Sequence, residues 1–334
     1  MSVSAPDIAP KAKTGLKLDL KTVGPLAALA LLVLLGITLN ENFMSYNNIT
    51  NVLARSSFIG IIAIGATFVI TAGGLDLSVG SMAAVIAGVM IMVMNWLIPT
   101  FGIGWGVILA GMAAGILLGG VAGVGNGFMI TRGRIEAFIV TLGTMGIFRS
   151  LVTFLADGGT LSLNFQVADV YRPVYYNGFL GIPYPILVFA FVAIAGEIVM
   201  RRTAFGRHCA AIGSNEQVAR YSSINVDNVR LITYILQGVL VAVAVLLYVP
   251  RLGSASSTTG VLWELEAIAA VIIGGTTLKG GYGRVWGTVV GVIILGLIGN
   301  ILNLQSFISP YLNGAFQGVI IILAVLLQRP KRAS

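Results

Sequence analysis

Residues 185–200 read PILVFAFVAIAGEIVM, and residues 201–230 read RRTAFGRHCAAIGSNEQVARYSSINVDNVR before the chain turns apolar again. An apolar run near membrane-crossing length, set against a polar and charged interval, decides the fold class. Runs of about 17–22 apolar residues suit helices that cross a bilayer. The interval 201–230 is the longest polar gap between two such runs, and it is where this chain meets the water phase.

The same pattern repeats along all 334 residues, which are 57% hydrophobic and 10% charged. A soluble domain carries about 25% charged residues, so an ordinary aqueous surface is excluded. No alternation of the β-barrel kind is present, and the 43 glycines suit close helix approach in lipid. The expected fold is an all-α polytopic membrane protein of about ten transmembrane helices, some short or broken. We place the spans at Val23–Leu39, Val52–Thr71, Val79–Leu97, Ile103–Phe128, Ile135–Leu155, Pro185–Met200, Val229–Val249, Glu264–Leu278, Val285–Leu304 and Tyr311–Leu327. Around this single transmembrane domain, 22–328, lie a basic tail at 1–21 and a short tail at 329–334. The first span has no small-residue cleavage site after it and reads as retained.

The net charge of +8 sits between spans and not on a soluble domain, which argues for the bilayer as partner and against nucleic acid. With both termini inside, sixteen of the twenty Lys and Arg fall on the cytoplasmic side, as the positive-inside rule requires. The exceptions are Arg55, Arg149, Arg172 and Arg251. The opposite loops carry aromatics: Trp96, Phe101 and Trp105 around one, and Tyr171, Tyr175, Tyr176, Phe179 and Tyr184 around another. These read as an interfacial belt.

Two Gly-Gly pairs interrupt the apolar pattern, in Thr71-Ala-Gly-Gly-Leu-Asp-Leu-Ser-Val-Gly80 and Gly274-Gly-Thr-Thr-Leu-Lys-Gly-Gly-Tyr-Gly283. Gly73, Gly74, Gly80, Gly274, Gly275, Gly280 and Gly281 are the expected breaks, and the likeness suggests a weak internal repeat of the transporter kind. Each is either a membrane-embedded break against protein or water or a tight turn at the surface. Ser78 is expected to cap the helix starting at Val79.

Within 201–230, Ser214 or Asn215 suits an N-cap, with Glu216 and Gln217 following in the first turn. A helix of about two turns is expected to end near Ser222–Ser223, with Gly206 and Gly213 bending the approach. Such a helix is marginal in water, so it is expected to rest on another protein surface or on this chain's own spans. Glu197 and Arg201 have the i,i+4 spacing of a surface pair.

No phosphate-binding G-x-x-x-x-G-K-[ST] occurs, since Lys279 is followed by Gly280. ATP power would therefore come from another subunit, and no cofactor is expected on this chain. One histidine and one cysteine, His208 and Cys209, exclude a histidine cluster and a cysteine metal site. No nucleophile–base pair can be assembled, so the chain reads as a non-enzyme.

Ionisable residues inside spans are functional by default. Asp76 sits between glycines, and Arg149 lies deep enough to snorkel outward. Glu264 and Glu266 open a span from the outside. The neutral polar residues Asn126, Thr141, Thr144, Gln237, Asn300 and Asn303, with Asp76, Ser78 and Arg149, are the pathway candidates for a polyhydroxylated solute. The alternative for each neutral one is an interhelical hydrogen bond worth about 0.6 kcal/mol.

Several stretches resemble the permease subunits of bacterial ABC sugar importers of the ribose, xylose, arabinose and galactose type, within the branched-chain amino acid/ribose permease superfamily. They are Gly73–Gly80 (GGLDLSVG), Ile135–Met145 (IEAFIVTLGTM), Thr203–Glu216 (TAFGRHCAAIGSNE) and Glu264–Gly281 (ELEAIAAVIIGGTTLKGG). The resemblance implies a type II-like permease in the bacterial inner membrane, moving a pentose or hexose from periplasm to cytoplasm. It implies a second permease copy or paralogue, a cytoplasmic ATPase that binds ATP-Mg, and a periplasmic sugar-binding protein. It also implies that loop 201–230 couples to the ATPase, which carries Gly206, Arg207, Gly213, Asn215, Glu216, Ala219 and Arg220. The rival reading is an ion-coupled secondary sugar carrier, for which Asp76 and Arg149 are the only relay candidates.

Overall fold

The chain's computed structural model describes residues 20–304, with side chains from residue 24, and residues 314, 315, 318 and 319. The first 19 residues, the C-terminal tail and all but four residues of the expected span Tyr311–Leu327 lie outside them.

Helices come first in a run: α1 (Leu20–Leu39), α2 (Tyr46–Thr71), α3 (Val79–Phe101), α4 (Trp105–Thr131) and α5 (Ala137–Leu155). A connecting region follows with β1 (Thr160–Ser162), α6 (Phe165–Tyr171), α7 (Pro173–Tyr176) and a small hairpin of β2 (Gly178–Phe179) and β3 (Ile182–Pro183). Then come α8 (Tyr184–Arg202), α9 (Ala204–Ser214), α10 (Glu216–Tyr221), α11 (Val226–Leu252), β4 (Ser254–Ser256), α12 (Trp263–Ile273) and α13 (Val285–Leu304). Among the described residues seven helices are long and apolar enough to cross a membrane: α2, α3, α4, α5, α8, α11 and α13. In α1 the apolar part is the shorter Gly24–Leu39.

The core forms where α11 lies against α4, α2 and α3. Gly119 and Gly238 make the α4–α11 crossing possible. A Cβ on Gly119 would sit 2.4 Å from the Gly238 carbonyl oxygen, and one on Gly238 would sit 2.1 Å from that of Gly119. In lipid, where burial of apolar area drives no association, such backbone-to-backbone approach is what holds helices together.

The expected span Glu264–Leu278 is a half-length helix instead. At about 1.5 Å rise per residue, the eleven residues of α12 cover about 16 Å, half of a hydrocarbon core. The missing half is the irregular segment from Gly253 to Leu262. Its β4 strand pairs antiparallel with β1 and packs along α3, and Gly260 and Gly80 meet backbone to backbone. Non-helical backbone is tolerated there because protein covers it.

Both Gly-Gly pairs end a helix in the same way. After α2, Gly73 N–H donates to Ile70 O (2.9 Å) and Gly74 N–H to Val69 O (2.9 Å); after α12, Gly275 N–H donates to Ile272 O (2.9 Å) and Thr276 N–H to Val271 O (3.2 Å). These are paired 5→2 and 6→1 bonds around a left-handed residue, with φ of 78° at Gly73 and 91° at Gly275. The two pairs are thus the same cap, shifted by one glycine.

Part of the expected aromatic belt is core. Tyr171 is buried with its hydroxyl donating to Leu246 O (2.7 Å), and buried Tyr175 stacks on Phe58. α6 and α7 fold those rings inward, while Tyr176, Phe179, Tyr184, Trp96, Phe101 and Trp105 stay exposed.

Candidate functional site

The interval 201–230 is more ordered than its composition suggests. Gly206 and Gly213 do not bend it: both lie inside α9, an unexpected helix capped by Thr203, whose hydroxyl accepts from Gly206 N. Gly206, Cys209 and Ile212 recur every three residues and form its buried stripe, with Phe205 stacked on Phe68 of α2. Glycine serves here for contact. A Cβ on Gly206 would meet Met200 O at 2.0 Å, and one on Gly213 would meet Thr71 O at 2.0 Å and Gly281 N at 2.4 Å. Gly280, at φ 82°, sits over Gly73 and Gly213, and Gly281 N–H donates to Thr71 O (3.0 Å). The end of α2, the end of α9 and the α12–α13 turn therefore close into one seam of glycines. Gly74 faces the Tyr234 hydroxyl and Gly274 the backbone of Gly287.

Asn215 caps α10, accepting from Val218 N (3.0 Å). Glu216 binds Arg220 (2.9 Å) and Arg230 (2.8 Å), and Arg220 reaches Asp227 (2.8 Å). Arg230 also donates to Ala72 O at the end of α2 (3.3 Å). Burial pushes the Glu216 carboxyl up, but its hydrogen bonds and charge contacts with Arg220 and Arg230 outweigh this and hold it below the usual carboxylate range. The hydrogen bonds from Asp227 and Glu216 raise the Arg220 guanidinium in turn. Single exposed pairs contribute about 0.2–1 kcal/mol each; four linked charges fix α10 against α2 and α11. The same charges line a cavity of about 640 Å³ closed on its other side by Arg134 and Glu136. Arg132 binds Asn228 (3.1 Å), so the basic loops gather at one end of the molecule.

With Glu216 and Arg220 engaged inside the chain and Ala219 buried, α10 presents Gln217, Val218 and Tyr221 outward. Tyr221 is 88% exposed and Val218 57%. Arg207 of α9 is exposed as well. Val218 and Tyr221, three residues apart on one helical face, were readable from the sequence but are hidden in it by the surrounding charge. Glu197 and Arg201 do pair, at 2.9 Å.

The other expected residues separate into different places. Asp76 is 5% exposed, and its Oδ1 accepts from Ser78 N (2.9 Å) and Ser78 Oγ (2.7 Å). Ser78 therefore does not cap α3; its hydroxyl is spent on Asp76, and Asn126 Nδ2 donates to it (2.9 Å). The Gly73–Gly80 break is thus buried at Asp76, Ser78, Val79 and Gly80, while Gly73 is exposed and with Gly74 lines the cavity beside α10. Arg149 does not snorkel outward. Its Nη1 donates to Ser257 O (2.5 Å) and Thr259 O (2.6 Å), satisfying carbonyls that the irregular segment before α12 leaves without ladder partners. Glu264, in the first turn of α12, lies beside Gly80. Thr141 and Thr144 are buried and donate to Ala137 O and Thr141 O of their own helix. Gln237 is buried, with Nε2 donating to Ile62 O (3.3 Å). Asn300 and Asn48 exchange two carboxamide hydrogen bonds, of 3.0 and 2.7 Å, joining α13 to α2. Asn303, one turn on, lines the same cavity wall. The cation at Arg55, in the middle of α2, drew attention in the sequence only as an exception to charge asymmetry; its depth in an apolar run was the available signal.

The chain matches the profile of the family described as branched-chain amino acid transport system / permease component over residues 48–325. It is 38% identical to the ribose import permease protein of Haemophilus influenzae, over 89% of this chain and 90% of that one. The ribose import permease protein of Bacillus subtilis is also 38% identical, covering 94% of both chains. The D-allose transport system permease protein of Escherichia coli is 35% identical, over 86% of this chain and 85% of that one. A solved structure of a metal-chelate type ABC transporter in an inward-facing conformation superposes with a TM-score of 0.53 over 92% of this chain and 98% of that one. At 12% identity this likeness concerns the fold.

Proposed function

Because the chain belongs to the family of branched-chain amino acid transport system permease components, we propose that its coupling loop docks a cytoplasmic ATPase through the outward face of α10. The chain is a multi-pass permease subunit of an ABC sugar importer, with monosaccharides as its substrate class, as in the ribose and allose permeases it resembles. That kinship sets the ion-coupled carrier aside.

The partner ATPase binds ATP-Mg and this chain hydrolyses nothing. A second permease copy or paralogue completes the membrane unit, and a periplasmic sugar-binding protein delivers substrate at the end opposite the basic loops. Both termini and the loop 201–230 face the cytoplasm of a bacterial inner membrane. The observation that carries the docking reading is Tyr221 and Val218 exposed on a helix whose other side is fixed by Glu216, Arg220, Asp227 and Arg230. A rigid support with an exposed aromatic is the form of an interface anchor.

Removing such an anchor costs about 2 kcal/mol or more, which is about 30-fold in affinity. Tyr221→Ala, alone and with Val218→Ala, is expected to lose ATPase co-purification and ATP-driven sugar uptake by that factor, at unchanged membrane content. Wild-type ATPase retention in the double variant refutes the docking face.

A further inference from the structure

We propose that the sugar-handling site of this permease is a hydrated cleft on the face formed by α2, α13 and the first turn of α12, away from the buried knot at Asp76. The proposal rests on the import function above and assigns it a place.

A cavity of about 420 Å³ opens between these helices, within the size range of small-ligand sites. α2 contributes Asn48, Asn51, Arg55 and Ser56, α13 contributes Asn300 and Asn303, and α12 contributes Glu266. A second cavity of about 320 Å³ shares Arg55, Ile59 and Glu266 with the first and adds Tyr248, Thr258 and Trp263. The two therefore form one cleft with a carboxamide wall, an aromatic wall, and one cation and one anion at the junction.

Its depth is the first reason to call it hydrated. From Asn48 to Ile59 the cleft follows α2 for eleven residues, about 16 Å at 1.5 Å each, and its part from Val52 to Ile59 lies within the span expected at Val52–Thr71. Arg55 is exposed on the surface of this chain in the middle of that run. An arginine at such depth faces water or protein and not lipid. Other exposed helix faces of this chain look different: α4 presents Leu117 and Val121, and α5 presents Ile147 and Phe154.

Chemistry names the ligand class. A sugar hydroxyl both donates and accepts, and a carboxamide offers two donors and one acceptor oxygen. Asn48 and Asn300 are paired with each other, which fixes the wall that Asn51 and Asn303 extend. Tyr248 and Trp263 meet edge to face at 5.1 Å, leaving apolar ring surface for the C–H face of a sugar. Two guanidiniums, Arg55 and Arg251, and the Glu266 carboxylate line the cleft, so the ligand class rests on its carboxamide and aromatic walls. A wall of dispersed neutral groups also binds weakly enough for release, as a conduit requires.

The test uses the full chain in cells carrying the complete transporter. Asn51→Cys and Asn303→Cys are exposed to membrane-impermeant 2-sulfonatoethyl methanethiosulfonate, with Leu117→Cys, on the exposed apolar face of α4, as the control. Labelling at 51 and 303 is expected to be at least tenfold faster than at 117, and slowed by whichever of D-ribose, D-xylose and D-allose the cells take up. Asn51→Leu and Trp263→Leu are expected to cut that uptake at least fivefold with membrane content and ATPase co-purification unchanged. Labelling at 51 and 303 no faster than at 117, or wild-type uptake in both leucine variants, overturns the cleft while import stands. Wild-type cells that take up none of the three sugars overturn the import reading, and the sugar assignment with it, whatever the labelling shows.

Discussion

Gly213→Ala tests whether the seam between α2, α9 and the α12–α13 turn is a contact the loop depends on. The added Cβ would lie 2.0 Å from Thr71 O, 2.4 Å from Gly281 N and 3.1 Å from Gly280 C. All three are backbone atoms, so no flexible side chain can yield. Overpacking of this kind costs about 1–3 kcal/mol, and parting the segments loses the Gly281 N–H to Thr71 O bond of 3.0 Å, about 0.5–1.5 kcal/mol more. Alanine also returns about 1 kcal/mol of helix propensity within α9. The balance is a seam weakened by about 0.5–3.5 kcal/mol, or an opening about 2- to 370-fold more frequent. Hydrogen exchange read by mass spectrometry on the segment 274–284 is expected to accelerate by that factor, and ATP-driven uptake to fall with it. Gly125→Ala, in a helix with no atom within 4 Å of the new Cβ, is the matched control and is expected to leave exchange there unchanged. Exchange in Gly213→Ala within twofold of wild type refutes the seam.

Two further outcomes follow from the charges and the thiol of the same loop. Cys209 is buried, and burial pushes its thiol up to about 12; since the thiolate is the nucleophile, maleimide at pH 7 is expected to leave it unmodified until the chain is denatured, and rapid native labelling would contradict α9's packing. Glu216 has its folded carboxyl below the ordinary value of 4.5, so the stabilisation it provides is complete above that value and is lost as pH falls through the lowered one. Exchange of α10 amides, corrected for intrinsic rates, is expected to rise in the wild type as pH falls below 4.5 and to be high and pH-independent there in Glu216→Gln, an outcome that a flat wild-type profile would exclude.

What the sequence made legible was governed by local physics. Hydropathy fixes the long helices because the cost of exposing backbone to lipid is paid residue by residue, and the expected starts of α3 and α13 coincide with those observed, at Val79 and Val285. The Asn215 cap was readable for the same reason, since a cap is a contact between neighbours. Three features were not. α9 contains two glycines and reads as a bent loop, because its helix is stabilised by Phe68 and by the backbone at Thr71, more than 130 residues away in sequence. The half-length of α12 follows from Gly260 meeting Gly80, and from Arg149 holding Ser257 and Thr259, both long-range contacts. Polar residues in spans look alike by sequence, yet Thr141 and Gln237 are buried in the bundle, each donating to a backbone carbonyl, whereas Asn51 and Asn303 line a cavity. Only the rotation of each helix in its neighbourhood separates them.

That rotation also relates the two ends of the molecule. α11 begins in the ion network, at Asp227 and Arg230, and reaches the aromatic wall of the cleft at Tyr248 about 30 Å away at 1.5 Å per residue. α2 runs the other way: Asn48, Asn51 and Arg55 line the cleft near its start, and Ala72, just past its end, accepts from Arg230. The loop proposed to receive the ATPase and the cleft proposed to receive the sugar are therefore joined by two antiparallel helices, tied at the loop end by Arg230 on Ala72 O and by Tyr234 on Leu75 O. Gln237 ties them again at mid-length through Ile62 O. A pull on α10 moves Arg230 first, and through it both walls of the cleft; a helix pair locked at its base and middle can transmit rotation but little stretch. The motion expected at the cleft is thus a change in how the carboxamide wall of α2 faces the aromatic wall of α11, which is the change that would open or close a site built between them.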